Sequence, residues 1–213
     1  MIVKKIITGK LKENCYIVYE NGKSFIIDPG SDSNLIINFI ESKNLEVLAI
    51  LNTHGHYDHI GAVKELKDKF EIPFFLCRED QELLKHANLY FMFFKGAKFI
   101  QIPKIDYYFD KSFVRLTPFL IWILKTPGHT RGSVCLQIED NLLTGDTLLK
   151  GKIGEIDRIN GDKKMMEKSL RKISKLSPET MIYPGHGEAT LLSDELKYND
   201  EFKKIVNGGK YGG

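Results

Sequence analysis

Three imidazoles and a carboxylate fall within six residues in Thr53-His54-Gly55-His56-Tyr57-Asp58-His59. That density is not a packing pattern, because neutral imidazole and carboxylate are the common ligands of borderline and hard divalent metals. The run follows the apolar stretch Val47-Leu48-Ala49-Ile50-Leu51, which places it on a loop at a strand end. Histidines at i and i+2 in an extended turn can reach one ion. Asp58 and His59 come two and three positions later and point past it, toward a second. One tetrahedral site takes about four ligands, so further donors must come from elsewhere in the chain.

Three distal motifs offer them. Pro127-Gly128-His129-Thr130, Thr144-Gly145-Asp146-Thr147 and Pro184-Gly185-His186-Gly187 each set one candidate ligand among small, turn-forming residues. Each follows an apolar, strand-like run, over 119–125, 135–143 and 181–183. Every histidine except His86 lies in such a strand-end motif, and His86 reads as a helix-surface residue. With Asp58 and Asp146 the candidate ligands number seven. Seven is too many for one tetrahedral ion and suits two ions that share a bridging carboxylate and a water. Any one distal motif alone would read as a solvated polar turn; the ensemble does not.

On these motifs, together with Asn14-Cys15-Tyr16, Ile27-Asp28-Pro29-Gly30 and the flanking Tyr183, the chain resembles the metallo-β-lactamase superfamily. Within it the likeness is to the glyoxalase II-like hydrolases, above all the short forms without a C-terminal domain. The resemblance implies that His54, His56 and His129 hold one metal, that Asp58, His59 and His186 hold the other, and that Asp146 bridges. It also implies that Asp28 supports the metal loop from behind. With His59, and aspartate rather than cysteine at 146, the chain looks less like the β-lactam hydrolases that use a thiolate ligand.

Two divalent ions would lower the pKa of a bridging water from about 15.7 toward 7, giving a hydroxide that attacks a carbonyl. Asp58 would orient that hydroxide as well as bind metal. A thiol of pKa about 8.5 leaves without a dedicated acid, whereas an amine needs a proton donor, so thioester hydrolysis fits better than amide hydrolysis. Lactone and phosphoester hydrolysis stay open, as does a mononuclear iron persulfide dioxygenase of similar sequence. Nitrogen and oxygen donors suit Zn, Fe and Mn alike; Zn²⁺ is the first expectation because it carries no redox side chemistry.

In the glyoxalase II-like enzymes the loop after the bridging aspartate carries a basic residue that, in the larger forms, helps hold glutathione. Here the matching loop reads Lys152-Ile153-Gly154-Glu155-Ile156-Asp157, with Glu155 at the basic position and Lys150 and Lys152 nearby. Two positions after the last histidine the larger forms have a ligand-contacting tyrosine, where this chain has Glu188. The expected partner is therefore a small thioester less acidic than a glutathione conjugate.

Composition limits the alternatives. A formal charge of +3 is too mild for a nucleic-acid groove. No run approaches the roughly 18 apolar residues of a membrane span, and Met1-Ile2-Val3-Lys4-Lys5-Ile6-Ile7 is too interrupted for a signal peptide. Cys15, Cys77 and Cys135 are odd in number and far apart, which points to buried thiols in a cytoplasmic setting.

The positioning elements follow from periodicity. Strands are expected over 2–8, 14–20 and 24–28, with Asn21-Gly22 as a two-residue hairpin turn. Ser31 or Asp32 should cap a helix with the apolar face Leu35, Ile36, Phe39 and Ile40. Strand 47–52 delivers the histidine loop, helix 61–69 turns Val63 and Leu66 inward, and strand 74–77 follows. Further strands are expected over 113–116, 119–125, 133–139, 141–145 and 180–183. Asp162 should cap a helix over 162–175 with Met165, Met166, Leu170 and Ile173 inward, and one last helix should run over 193–205. The aromatic stretch 86–113, with Tyr90, Phe91, Phe93, Phe94, Phe99, Tyr107, Tyr108, Phe109 and Phe113, reads either as a satellite core or as a lid or homodimer contact.

Two strand-rich halves, each ending in helices, suggest an α/β fold with two mixed sheets face to face and helices outside. This four-layer αββα sandwich is also what the resemblance implies. A single domain over 1–206 with a flexible Gly-rich tail over 207–213 is the expected organisation. The stretch after His186 has room for one helix, where the larger glyoxalase II enzymes carry a helical domain.

Overall fold

The computed structural model describes residues 1–90, 99–157 and 160–209. Its first sheet holds β1 (Ile2–Thr8), β2 (Glu13–Glu20), β3 (Lys23–Ile27), β4 (Glu46–Leu51), β5 (Phe74–Leu76) and β6 (Tyr107–Tyr108) in that order. The second runs β14 (Thr190–Leu191), β13 (Met181–Pro184), β10 (Asn141–Gly145), β9 (Val134–Ile138), β8 (Phe119–Lys125) and β7 (Phe113–Leu116). Both are mixed: β3, β4, β5 and β6 pair in parallel, as do β10 and β13, and the other pairings are antiparallel. A separate small hairpin joins β11 (Leu148–Leu149) to β12 (Lys152–Ile153).

Side chains that alternate along each strand sort into three apolar layers. Tyr16, Val18, Phe25, Ile27, Ala49 and Leu51 meet Phe119, Ile121, Ile123, Val134 and Leu136 between the sheets. Their neighbours Cys15, Ile17, Ile26 and Ile50 face outward against α1 (Ser33–Ser42) and α3 (Val63–Phe70). On the far side, Cys135, Leu142 and Ile182 pack on α6 (Lys163–Ile173), α7 (Leu192–Tyr198) and α8 (Asp200–Val206). The fold is the expected four-layer sandwich.

The hairpin between β2 and β3 turns at Asn21 (φ 51°) and Gly22 (φ 77°), the paired positive φ values of a type I′ turn. Asp162 caps α6, its carboxylate accepting the Met165 N–H at 2.9 Å. Other expectations need correction. Asp32 stands at the start of α1 but does not cap it; its carboxylate is taken by the Gly9 N–H at 2.8 Å. Leu35 and Met165 are exposed, because each helix buries only the narrow stripe that lies flat on its sheet. The helix expected over 61–69 is α3, with Val63 and Leu66 buried as expected, and a separate single turn, α2 (Tyr57–Ile60), precedes it. The last helix breaks at Asn199, which is extended (φ −84°, ψ 100°) and caps α8 through the Phe202 N–H at 3.1 Å.

After β5 come a 3₁₀ turn (Arg78–Asp80), α4 (Gln81–Lys85) and α5 (Ala87–Tyr90). His86 ends α4 on the surface, as expected. In the aromatic stretch, Phe109 is buried between the sheets, whereas Phe99, Tyr107 and Phe113 are exposed. Phe91, Phe93, Phe94 and the Tyr90 side chain, on which a lid would depend, lie outside the described residues, as does the tail from 210 onward. The three cysteines are buried free thiols, and no helix among the described residues is long and apolar enough to cross a membrane.

Candidate metal centre

Strand direction brings the motifs to one edge. β8 and β10 are each antiparallel to β9, and β13 is parallel to β10, so β8, β10 and β13 all run the same way. Their carboxyl ends present His129, Asp146 and His186. From the facing sheet, β4 ends in His54 and His56. His56 is extended (φ −67°, ψ 147°) and starts α2, whose single turn folds Asp58 and His59 back under the histidine pair. Ligand loops at the carboxyl ends of strands are the usual arrangement in open α/β sheets.

The seven side chains meet in two groups. In each of the sets His54–His56–His129 and Asp58–His59–His186, the donor atoms all lie within 4.8 Å of one another. Asp146 stands between the groups. Its Oδ2 is 3.6 Å from both His129 Nε2 and His186 Nε2, and its Oδ1 is 3.8 Å from His59 Nε2. Asp58 Oδ2 lies 3.3 Å from His186 Nε2. The carbonyl end of β13 has to come close to make this possible: a Cβ on Gly185 would sit 2.3 Å from Asp146 Oδ1.

Every ring in the cluster, His186 apart, is fixed through its outward nitrogen. Thr53 Oγ1 donates to Asp28 Oδ2 at 2.6 Å, so the His54 Nδ1–H, at 3.0 Å, donates to that hydroxyl. Asp28 Oδ1 also accepts the Thr53 N–H at 2.7 Å, and Oδ2 faces His59 Nδ1 at 3.2 Å. Asp28 is thus a buried brace beneath the metal loop. His129 Nδ1 donates to the Glu155 carbonyl at 2.6 Å, and His56 Nε2 meets Asp157 Oδ2 at 2.7 Å. His56 Nδ1 is left 2.8 Å from His129 Nε2. Outer partners of this kind set the tautomer and aim of metal-binding histidines.

The inward atoms fit a cation. His54 Nε2, His59 Nε2 and Asp146 Oδ1 are buried and have no hydrogen-bond partner among the described residues, a costly state for polar atoms unless something else satisfies them. Burial, reinforced by the other imidazoles, holds His54 well below its usual pKa, and burial lowers His129 against the pull of Asp146. Both rings therefore offer lone pairs at neutral pH. Burial pulls His59 and His186 down too, but the surrounding carboxylates outweigh it and raise both. Burial pushes Asp58 up, yet His59 and His186 prevail and keep it ionised far below the ordinary carboxylate range.

Two contributors are not apparent in the motifs. Asp157 supports His56. Asp80, fully buried, accepts Gly55 N–H (3.0 Å) and the Thr130 hydroxyl (2.7 Å) on Oδ2, and Gly132 N–H (2.7 Å) and Asn160 Nδ2 (3.2 Å) on Oδ1. It ties the His54–His59 loop to the His129 loop. Its signal was positional: like the ligands, it lies just beyond a strand's carboxyl end. A third device lies within the motif Asn14-Cys15-Tyr16. Asn14 Nδ2 donates to the carbonyls of Pro184 (2.9 Å) and Gly187 (2.8 Å), and Tyr16 Oη donates to that of Pro184 (2.7 Å), pinning the His186 loop.

The residues expected in the substrate loop lie at the rim. Lys150, Lys152 and Glu155 have exposed side chains, and the hairpin carrying the lysines is tied to α7 by the Gly151 N–H on Glu195 Oε2 at 2.9 Å. Glu188 is paired with Lys5 at 2.9 Å. Its charge is compensated by that lysine.

An αββα sandwich with a histidine–aspartate cluster at its strand ends defines a class of metal-dependent proteins. Residues 8–186 match the Metallo-beta-lactamase superfamily, and the chain belongs to it. The chain is 31% identical over 210 residues to the hydroxyacylglutathione hydrolase GloC of Haemophilus influenzae, covering 93% of this chain and 97% of that one. The crystal structure of TTHA1623 in a di-iron-bound form is similar with a TM-score of 0.85 and 33% identity, over 92% of this chain and 98% of that one. The B3 metallo-beta-lactamase BLEG-1 is similar with a TM-score of 0.87 and 30% identity, over 97% and 100% of the two chains.

Proposed function

We propose that the protein is a dinuclear metal-dependent thioester hydrolase of the hydroxyacylglutathione hydrolase type. The observation that carries this is Asp146, a carboxylate standing between two three-residue donor sets. His54, His56 and His129 would hold one ion, Asp58, His59 and His186 the second, with Asp146 shared. Zn²⁺ is the first choice, and Fe fits the same donors. Divalent ions bound there would supply a nucleophile from water at neutral pH and an electrophile for a carbonyl oxygen. Asp58, held ionised by His59 and His186 and 3.3 Å from the latter, would orient the attacking water. A thiolate leaves without an acid, which favours thioesters over amides.

The test is metal content on the purified protein together with a panel of lactoyl-glutathione, acyl-coenzyme A, lactones and nitrocefin. Two ions per chain and thioester turnover are expected. One iron per chain, with oxygen uptake on glutathione persulfide, would replace this reading with a dioxygenase.

Charge at the rim refines the substrate. Glutathione carries two carboxylates, and Glu155 stands where the relatives are basic. Glu155→Arg should raise kcat/KM for lactoyl-glutathione by roughly tenfold, from about 1–2 kcal/mol of exchanged repulsion and attraction. The gain should appear in KM, because it adds uniform binding. An unchanged KM would show that this loop does not read substrate charge.

A further inference from the structure

Asp157 touches both histidine loops of one donor set. Its Oδ2 meets His56 Nε2 at 2.7 Å, its backbone N–H donates to the His129 carbonyl at 3.1 Å, and the neighbouring Glu155 carbonyl accepts His129 Nδ1–H at 2.6 Å. The Asp157 side chain is 5% exposed, so this is a charge-assisted bond shielded from water. Its Oδ1 is fixed in turn by the Asn160 N–H at 2.7 Å, and its carbonyl by the Gly161 N–H at 2.9 Å.

The other donor set is braced differently. His59 leans on Asp28, which ends core strand β3. Asp28 also reaches His54 of the first set through Thr53 Oγ1, so the buried sheet supports both sets, whereas the connection that follows β12 and carries Glu155 at the rim touches the first set through His56 and His129. We infer that Asp157 is a positioning residue for a single ion: it holds the His56 ring with Nδ1 turned inward and so sets the affinity of the His54–His56–His129 position, and not of the other. This deepens the two-ion reading and rests on it. It also means that the connection reading the substrate at Glu155 is the one that secures one metal.

The experiment measures both stepwise metal affinities, by competition with a chelator on the metal-free protein, and the visible spectrum of the cobalt(II)-loaded form. Wild type, Asp157→Ala, Asp157→Asn and His56→Ala are compared. Loss of an outer partner typically weakens metal binding by about 10–100-fold. Asp157→Ala should show that loss for one ion, with the other within about twofold of wild type. Its residual cobalt spectrum should match that of His56→Ala. Asp157→Asn, which keeps an acceptor without the charge, should fall between and serves if the alanine variant does not fold. Adding Asp157→Ala to His56→Ala should change nothing further. Both affinities unchanged, or both weakened together, would overturn the assignment. A single ion on wild type would instead overturn the two-ion reading itself, independently of any variant.

Discussion

Asp146→Ala should abolish turnover, lowering kcat/KM by on the order of 10³-fold or more, and should leave neither ion tightly held. The reason is placement. Its Oδ2 is equidistant, at 3.6 Å, from a histidine of each donor set, and its Oδ1 faces His59 at 3.8 Å. His186→Ala is the contrast. It removes a donor from the Asp58–His59–His186 set alone and should empty mainly that position. The fold should survive both changes, since the backbone just before Asp146 is anchored independently of its side chain: Gly185 N–H donates to the Gly145 carbonyl at 2.8 Å. Metal analysis of the two variants beside wild type checks this. Retention of two ions by Asp146→Ala would remove the bridging role and with it the shared-site chemistry.

Much of this arrangement is visible in the sequence because the signals are local. Each donor follows an apolar run and sits among glycine, proline and threonine, so a strand end and a turn can be read without knowing the fold. Alternate residues of β2, β3, β4 and β9 face the inter-sheet layer and an outer one, so these strands are apolar on both faces, and the sandwich was legible from two strand-rich halves each ending in helices together with the resemblance. What was not legible is the contact between distant carboxylates and backbone. Asp157 and His56 are 101 positions apart, and nothing near either residue announces the other. The same holds for Asp80, whose neighbours Arg78 and Glu79 make it look like part of a charged surface turn. Helix detail failed for a different reason. Asp32 and Asn199 are both good capping residues, but Asp32 is recruited by Gly9 whereas Asn199 opens a break that a continuous apolar pattern conceals.

Asp80 supplies the largest expected effect on stability. Four donors from three segments converge on one carboxylate that is fully buried. Burial pushes its pKa up, and the hydrogen bonds from Thr130, Gly55 and Gly132 pull the other way. The carboxylate is thus held by those bonds rather than by a countercharge. The segments pack so closely that a Cβ on Gly132 would lie 2.5 Å from Asp80 Cγ, leaving little room for a substitute acceptor to enter. Asp80→Ala would strand donors that each cost about 1–3 kcal/mol when buried without a partner. Because their losses overlap, the total should be about 3–5 kcal/mol, at the upper end for a single substitution. For a chain of this size each kcal/mol lowers Tm by about 2–4 °C, so a fall of roughly 6–20 °C is expected in the metal-free protein. The two loops that Asp80 joins carry His54, His56 and His129, so the variant should also bind its first ion more weakly than wild type. A melting temperature within 2 °C of wild type would mean that the loops hold their positions through their own strands, and that Asp80 is only a passenger between them.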